Sequence, residues 1–273
     1  MPAFYGMVEI ACQILAVDQL RLLDELKAVH QRYHNSEQPF ALLETPTVEH
    51  RFPKTTPLEK KLQLKEAFDV FERIRGQRLH PYPGVRETLK HIRSSGCSIL
   101  GYTEAVPENS LFRLILLDLV NDIELLYAPT SRSKEHPDPN HPRKLDPYRN
   151  KLRYLPAGHR KPDPSVLVDI CDASGQDSAG VLYVGDSLTR DVAMAKAAGV
   201  HSAWARYGSI NNPEDWQKLV RITHWTKEDV DREEELCERF RDIRPDIEID
   251  TFSQLLEHFS FAATAGHGLS RED

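Results

Sequence analysis

Gly180-Val-Leu-Tyr-Val-Gly-Asp-Ser-Leu-Thr-Arg-Asp-Val-Ala-Met-Ala-Lys-Ala-Ala-Gly199 is the stretch whose reading decides the fold. Val181 to Val184 is an apolar run that reads as a buried strand, stopped by Gly185 and followed at once by Asp186. Asp191 comes five residues later, inside an alanine-rich helix that ends at Gly199. Apolar strand, Gly-Asp turn and small-residue helix together make half of a βαβ unit. In open α/β sheets ligands bind at the carboxyl ends of the strands, where both acids fall. Two carboxylates with no lysine or arginine needed between them suit a hard divalent cation such as Mg²⁺. The competing reading of this segment alone is a capped helix start, with Asp186 serving only the backbone N–H groups of the first turn.

Outward from this unit the pattern repeats. A helix over 85–94 ends at Gly96, and Cys97-Ser-Ile-Leu-Gly-Tyr-Thr103 reads as a strand. A helix over 109–119, a strand through Ile123-Glu-Leu-Leu-Tyr127, a polar proline-rich stretch from Pro129 to Arg160 and a helix over 164–173 follow. Beyond Gly199 come a strand over 200–205, a last strand over 221–225, a charged helix over 228–241 and an apolar helix over 252–259. Strands alternating with helices of this length imply an α/β protein with a doubly wound parallel sheet.

The first 80 residues differ. Leu15, Leu22, Leu26 and Val29 share one helical face, with Asp18 a cap or kink between two helices. Pro39, Pro46, Pro53 and Pro57 break the middle, and a further helix runs from Leu58 to Arg75, near Gly76. No strand pattern occurs, so the expected organisation is an all-helical unit over 1–80, an α/β core over 81–261 and a patternless, disordered tail over 262–273.

Bulk properties narrow the function classes. The 273 residues are 40% apolar and 28% charged with net charge -7, so no basic footprint for nucleic acid exists. No run of about 18 apolar residues spans a membrane, and no basic-then-apolar start suggests secretion. Cys12, Cys97, Cys171 and Cys237 form no Cys-x-x-Cys pair, which fits a reduced, cytoplasmic protein. His136 and His141 lie in the proline-rich loop, where solvation is the expectation and metal capture the alternative.

Thr103 closes its strand, so its hydroxyl sits at a carboxyl end. Lys161 stands in His159-Arg-Lys-Pro-Asp-Pro164, just before a helix whose start the prolines set. With Asp186 and Asp191 these make a site for a phosphate and its metal: hydroxyl and ammonium hold the anion, carboxylates the cation. Each element alone has a plainer reading, a structural strand-end threonine or a surface Lys-Pro. The ordered set in its strand–helix context is what carries weight.

In these motifs the chain resembles the haloacid dehalogenase (HAD) superfamily, especially phosphatase-like members with a helical cap. Thr103 matches the family's strand-terminal Ser/Thr, Lys161-Pro-Asp-Pro164 its Lys-Pro-x-Pro, and Asp186 with Asp191 its Gly-Asp-x-x-x-x-Asp. The resemblance spans residues 1 to about 260, with 1–80 as the cap. It implies a Rossmann-like core and a small phosphorylated substrate, with Thr103, Lys161 and Ser187 on the substrate and Asp186 and Asp191 on Mg²⁺. The family's first motif, Asp-x-Asp-x-Thr on a central strand before the cap, has no counterpart. Asp229-Val-Asp231 falls in a charged helix, and Glu248-Ile-Asp250-Thr251 is late and follows no expected core strand.

With that motif goes the nucleophile. Loss of a buried central strand is comparable to a domain's whole net stability, about 5–15 kcal/mol. The expectation is therefore an N-terminally truncated, inactive form of a Mg²⁺-dependent phosphatase. Two alternatives stay open: a non-catalytic phosphate-binding or regulatory protein, and a haloacid dehalogenase, which needs no metal. In the loop, His136, Arg143, Lys144, Arg149 and Lys151 either contact an anionic substrate or face solvent.

Overall fold

The structure, a computed structural model, describes residues 1–130, 136–138, 145–156, 158–209 and 212–263. The first 80 residues fold only into helices, as their pattern predicts. Helix α1 (Pro2–Leu15) opens on proline and ends at Ala16 in the left-handed region. Asp18 then caps α2 (Gln19–Tyr33), its Oδ1 accepting the N–H groups of Leu20 and Arg21, 2.9 and 3.1 Å away. Helices α3 (Pro46–Arg51), α4 (Pro57–Gln63) and α5 (Lys65–Arg78) follow. The single helix expected over 58–75 is two, broken at buried Leu64. Met7, Leu22, Leu26, Val29 and Leu42, all fully buried, make this block's core, to which Ile222 is the contribution from the second half.

The second half alternates: α6 (Val85–Ser94), β1 (Leu100–Tyr102), α7 (Pro107–Leu116), β2 (Leu125–Pro129), β3 (Leu152–Leu155), α8 (Pro164–Ala173) and β4 (Leu182–Gly185). A π-turn over Leu188–Val192 leads into α9 (Ala193–Ala197), then β5 (His201–Ala205), α10 (Pro213–Ile222), α11 (Lys227–Arg239), β6 (Ile247–Ile249) and α12 (Leu255–His258). All strand pairs are parallel, so the α/β class holds, but the strands form two sheets ordered β1-β2-β3 and β4-β5-β6. No strand bonds to the other edge of β1 or β4 among the described residues.

Three strand expectations need correction. Residues 221–225 are not a strand: Asn212 accepts the Glu214 N–H and Pro213 stands at the first turn, so helix α10 starts there and runs to Ile222. The stretch 129–160 contains β3, paired with β2. The segment Glu248-Ile-Asp250 is itself part of a strand, since Glu248 and Ile249 lie in β6, which pairs with β5, and Asp250 stands at its end. The apolar helix expected over 252–259 is a short turn at Phe252–Gln254 plus α12. Most of the tail lies outside the described residues; Ala262 accepts a hydrogen bond from Cys97 Sγ at 3.0 Å. No single helix among the described residues is long and apolar enough to cross a membrane.

Asp246 fastens β6 to β5. Its carboxylate accepts from the Ser202 N–H and hydroxyl at 2.8 and 2.9 Å and pairs with Lys196. Partial burial pushes its pKa up, but Lys196 and Ser202 outweigh it and hold the group at about 2. A folded pKa below the unfolded value of about 3.9 means the ionised form favours folding above that pH, and the contribution fades as pH falls from 4 toward 2. Asp246→Asn is expected to cost about 1 kcal/mol in urea unfolding at pH 7, the partly exposed ion pair being screened. The gap from wild type should narrow by pH 3; a gap that is constant with pH contradicts this assignment.

Candidate functional site at the carboxyl ends of β1 and β4

Local sequence places each side chain. Gly185 ends β4 directly over Asp191: a Cβ built on Gly185 would stand 2.4 Å from the Asp191 Cβ, so only glycine permits this approach. Asp191 sits in the π-turn, 6% exposed. Its Oδ1 accepts Lys161 Nζ at 2.8 Å and the Tyr183 hydroxyl at 3.2 Å, and its Oδ2 accepts the Ser187 N–H at 3.1 Å. The ammonium of Lys161 lies over the rings of Tyr102 and Tyr183, 4.6 and 5.5 Å from their centroids. Lys161 is fixed from behind as well: its N–H donates to Glu104 Oε1 at 2.9 Å, and its carbonyl accepts from Arg232. Asp163 caps α8 two residues on, which sets where the loop ends and the helix starts.

Asp186 is exposed at the turn. Its carbonyl is clamped by the Trp204 indole N–H (3.0 Å) and the Ser209 hydroxyl (2.8 Å), leaving the carboxylate for solvent. Crowding by the protein, then the negative charge of Asp191, pushes the Asp186 pKa up against the pull of Lys161 and Arg190. Burial, then Asp191, raises Tyr183 well above the usual phenol range, so it remains a neutral donor. The helix-cap alternative for Asp186 fails, because Ser187 fills that place: its hydroxyl accepts the Arg190 N–H at 3.2 Å.

The structure thus joins Lys161, Asp191 and Ser187 directly, with Asp186 alongside. Thr103 ends β1, its hydroxyl accepting the Ala105 N–H at 3.0 Å, and connects to the cluster through its neighbours Tyr102 and Glu104. Lys161, read from the sequence as a phosphate ligand, is here also the counter-charge of Asp191. Sequence reasoning also missed Glu104 and Arg190. Arg190 reaches Glu104 at 3.5 Å and Glu233 at 2.9 Å, and its guanidinium covers the Trp225 ring. Only its position between the two aspartates hinted at it.

Among the described residues no cluster of three or more His, Cys, Asp or Glu side chains forms a metal cage. Both Asp191 oxygens are engaged, which leaves the Asp186 carboxylate open. Mg²⁺ keeps several waters and often takes one or two carboxylates plus phosphate oxygens, so Asp186 fits a hydrated ion of that kind.

The loop residues behave differently from a uniformly solvated segment. His136 packs edge-to-face on Phe40, with centroids 4.8 Å apart. Arg149 pairs with Asp146 at 3.0 Å, and Lys151 donates to the Ile123 carbonyl at 2.6 Å. His141, Arg143 and Lys144 lie outside the described residues.

A family model described as haloacid dehalogenase-like hydrolase matches residues 9–199. The N-acetylmuramic acid 6-phosphate phosphatase of Pseudomonas putida is 42% identical over 67 residues, 23% of this chain and 30% of that protein. The phosphoglycolate phosphatase of Nitrosospira multiformis is 27% identical over 149 residues, 53% of this chain and 54% of that protein. The chain therefore spans less than two thirds of the length of these curated relatives. Among solved structures, a predicted phosphoglycolate phosphatase from Haemophilus somnus is 16% identical, covering 94% of this chain and 90% of that one at TM-score 0.47.

Proposed function

Because the chain belongs to the haloacid dehalogenase-like hydrolase family, we propose that its site binds the phosphate group of a small phosphorylated metabolite. The observation that carries this reading is the partly buried Lys161 ammonium, its side chain 12% exposed, held at the carboxyl ends of β1 and β4, 2.8 Å from Asp191. A phosphate entering there competes with Asp191 for Lys161 and meets the Thr103 hydroxyl and the Ser187 side chain at the rim. Asp186 would hold Mg²⁺ with its waters, and the ion would neutralise phosphate charge.

The residues assembled here bind and orient an anion. None of them is a carboxylate free to attack phosphorus, because Asp191 is committed to Lys161, and Asp186 is the cation ligand. We therefore infer binding without turnover for this chain. Residues 1–80 act as the cap over the site and residues 81–261 as the core. The named relatives suggest phosphoglycolate or a sugar-acid 6-phosphate as first ligands to try.

The experiment is calorimetric titration of the chain with phosphoglycolate in Mg²⁺ buffer, repeated on Lys161→Met. We expect saturable binding that weakens at least tenfold in the variant, about 1.4 kcal/mol. Binding of equal strength in Lys161→Met, or none to wild type at millimolar ligand, rejects the site. Phosphate release from the bound ester rejects the non-catalytic part alone.

A further inference from the structure

Helix α11 turns a charged face inward. Asp229, Arg232, Glu233 and Leu236 recur at i, i+3, i+4 and i+7, which puts them on one side of the helix. Leu236 is buried in the ordinary way, but the three charged residues each hold a segment that carries the site. Asp229 Oδ1 accepts Arg160 Nη2 at 3.0 Å, and Arg232 Nη2 donates to the Lys161 carbonyl at 2.8 Å. Glu233 accepts Arg190 Nε at 2.9 Å in the π-turn, one residue before Asp191. The Glu233 and Arg190 side chains are 15% and 20% exposed, so solvent screens this pair weakly.

The same stretch of chain is gripped at its other end by α2 and the turn after it. Arg221 pairs with Asp24 at 2.9 Å, Lys27 Nζ donates to the Val220 carbonyl at 2.8 Å, and Gln31 Nε2 donates to the Trp225 carbonyl at 3.3 Å. The Ser36 hydroxyl accepts the His224 N–H at 3.0 Å. Thr226 follows at once and opens α11 with a capping box closed by Asp229. The Oδ2 of Asp229 accepts the Thr226 N–H at 3.0 Å while its Oδ1 holds Arg160. One carboxylate therefore serves both the start of α11 and the loop of Lys161. Hydrogen bonds, ion pairs and a rigid helix of this kind are the physical means by which one site feels another.

We propose that α10 and α11 form a strap through which α2 sets the position of the Lys161 loop, with Arg232 as the positioning residue at its site end. Residues 158–163 belong to neither β3 nor α8. Lys161 owes its place to the groups that hold its own peptide, Glu104 on the N–H and Arg232 on the carbonyl. The consequence for ligand affinity rests on the phosphate reading above; the consequence for the loop does not.

The test reads both in the full chain. Wild type is compared with Arg232→Ala, with Arg232→Lys, which keeps a donor, and with the double change Lys27→Met and Gln31→Met, which frees Val220 and Trp225 far from Lys161. Residue-resolved amide exchange follows the Lys161 N–H, with the Glu124 and His201 amides, bonded to Ile99 and Val181, as internal references. Exchange at Lys161 should rise about tenfold in Arg232→Ala and about fivefold in the α2 double variant, since each loosens the loop locally. In Arg232→Lys it should stay within about twofold of wild type, and so should the references in every variant. Calorimetric titration with phosphoglycolate in Mg²⁺ buffer should weaken in the same order. References that accelerate together with Lys161 show general loosening and overturn the strap. Lys161 exchange unchanged in Arg232→Ala or in the α2 double variant overturns it, as does an Arg232→Lys variant no better than Arg232→Ala, or faster exchange with unchanged binding. If wild type binds no phosphoglycolate, the phosphate reading falls alone, and the exchange rates decide the strap.

Discussion

Asp191→Ala is expected to lower the melting temperature by about 10 °C. The substitution leaves the Lys161 ammonium, its side chain 12% exposed, without its counter-charge. Removing one member of a buried ion pair costs about 3–5 kcal/mol, because the remaining charge stays desolvated. For a chain of this size each kcal/mol moves the midpoint by roughly 2–4 °C. The Tyr183 hydroxyl loses its acceptor and the Ser187 N–H loses a carboxylate at the same time. The paired change Lys161→Met with Asp191→Leu removes both charges and fills the space, and should recover most of the loss. Calorimetric melts of the three proteins measure this. A drop below about 2 °C in Asp191→Ala, or a double variant no better than the single, shows that the pair is not a buried unit.

Gly185→Ala should have an effect of similar size by a steric route. The added Cβ would meet Asp191 Cβ and Cγ at 2.4 Å and Oδ2 at 2.5 Å, distances real atoms do not adopt. Either the end of β4 or the π-turn must shift, and overpacking of this kind costs about 1–3 kcal/mol. A shifted Asp191 then also misaligns Lys161, so phosphoglycolate binding should fail together with stability. Gly180→Ala is the matched control: no atom lies within 4 Å of its Cβ position, and the change should stay within about 0.5 kcal/mol. If Gly185→Ala unfolds at the same urea concentration as Gly180→Ala, the close approach has no energetic role.

What the sequence discloses depends on whether an element's neighbours are local. The unit from Val181 to Gly199 was legible because strand, turn, cap and helix all signal within twenty residues or so. The Asp18 break between α1 and α2 was legible for the same reason. Strand β3 was not: it pairs with β2 alone, and Arg153 and Tyr154 are exposed, so no apolar run marks it. Strand β6 is three residues with Glu248 at its centre, too short for a period to register. Residues 221–225 read as β by composition, yet Asn212 and Pro213 start a helix that carries Ile222 into the helical core.

The site divides in the same way. Its carboxylates, lysine and threonine lie in recognisable motifs, and three of them do converge. Glu104 and Arg190, 86 residues apart in sequence, meet only through the fold.

One joint in the molecule sets side chains of the first helices against main-chain oxygens of the 218–225 segment. Tyr5 donates to the Lys218 carbonyl, Lys27 to Val220 and Gln31 to Trp225, while His30 Nδ1 lies 2.7 Å from the Ile222 carbonyl. At Lys218, Val220 and Trp225 the contact is to the backbone oxygen that every residue presents, so those positions can change in sequence while keeping their seat. Arg221, Ile222 and His224 cannot, because Arg221 pairs with Asp24, Ile222 enters the helical core and His224 meets Ser36. Over generations the record of this docking would be written in those three positions and their partners, and little elsewhere in the segment.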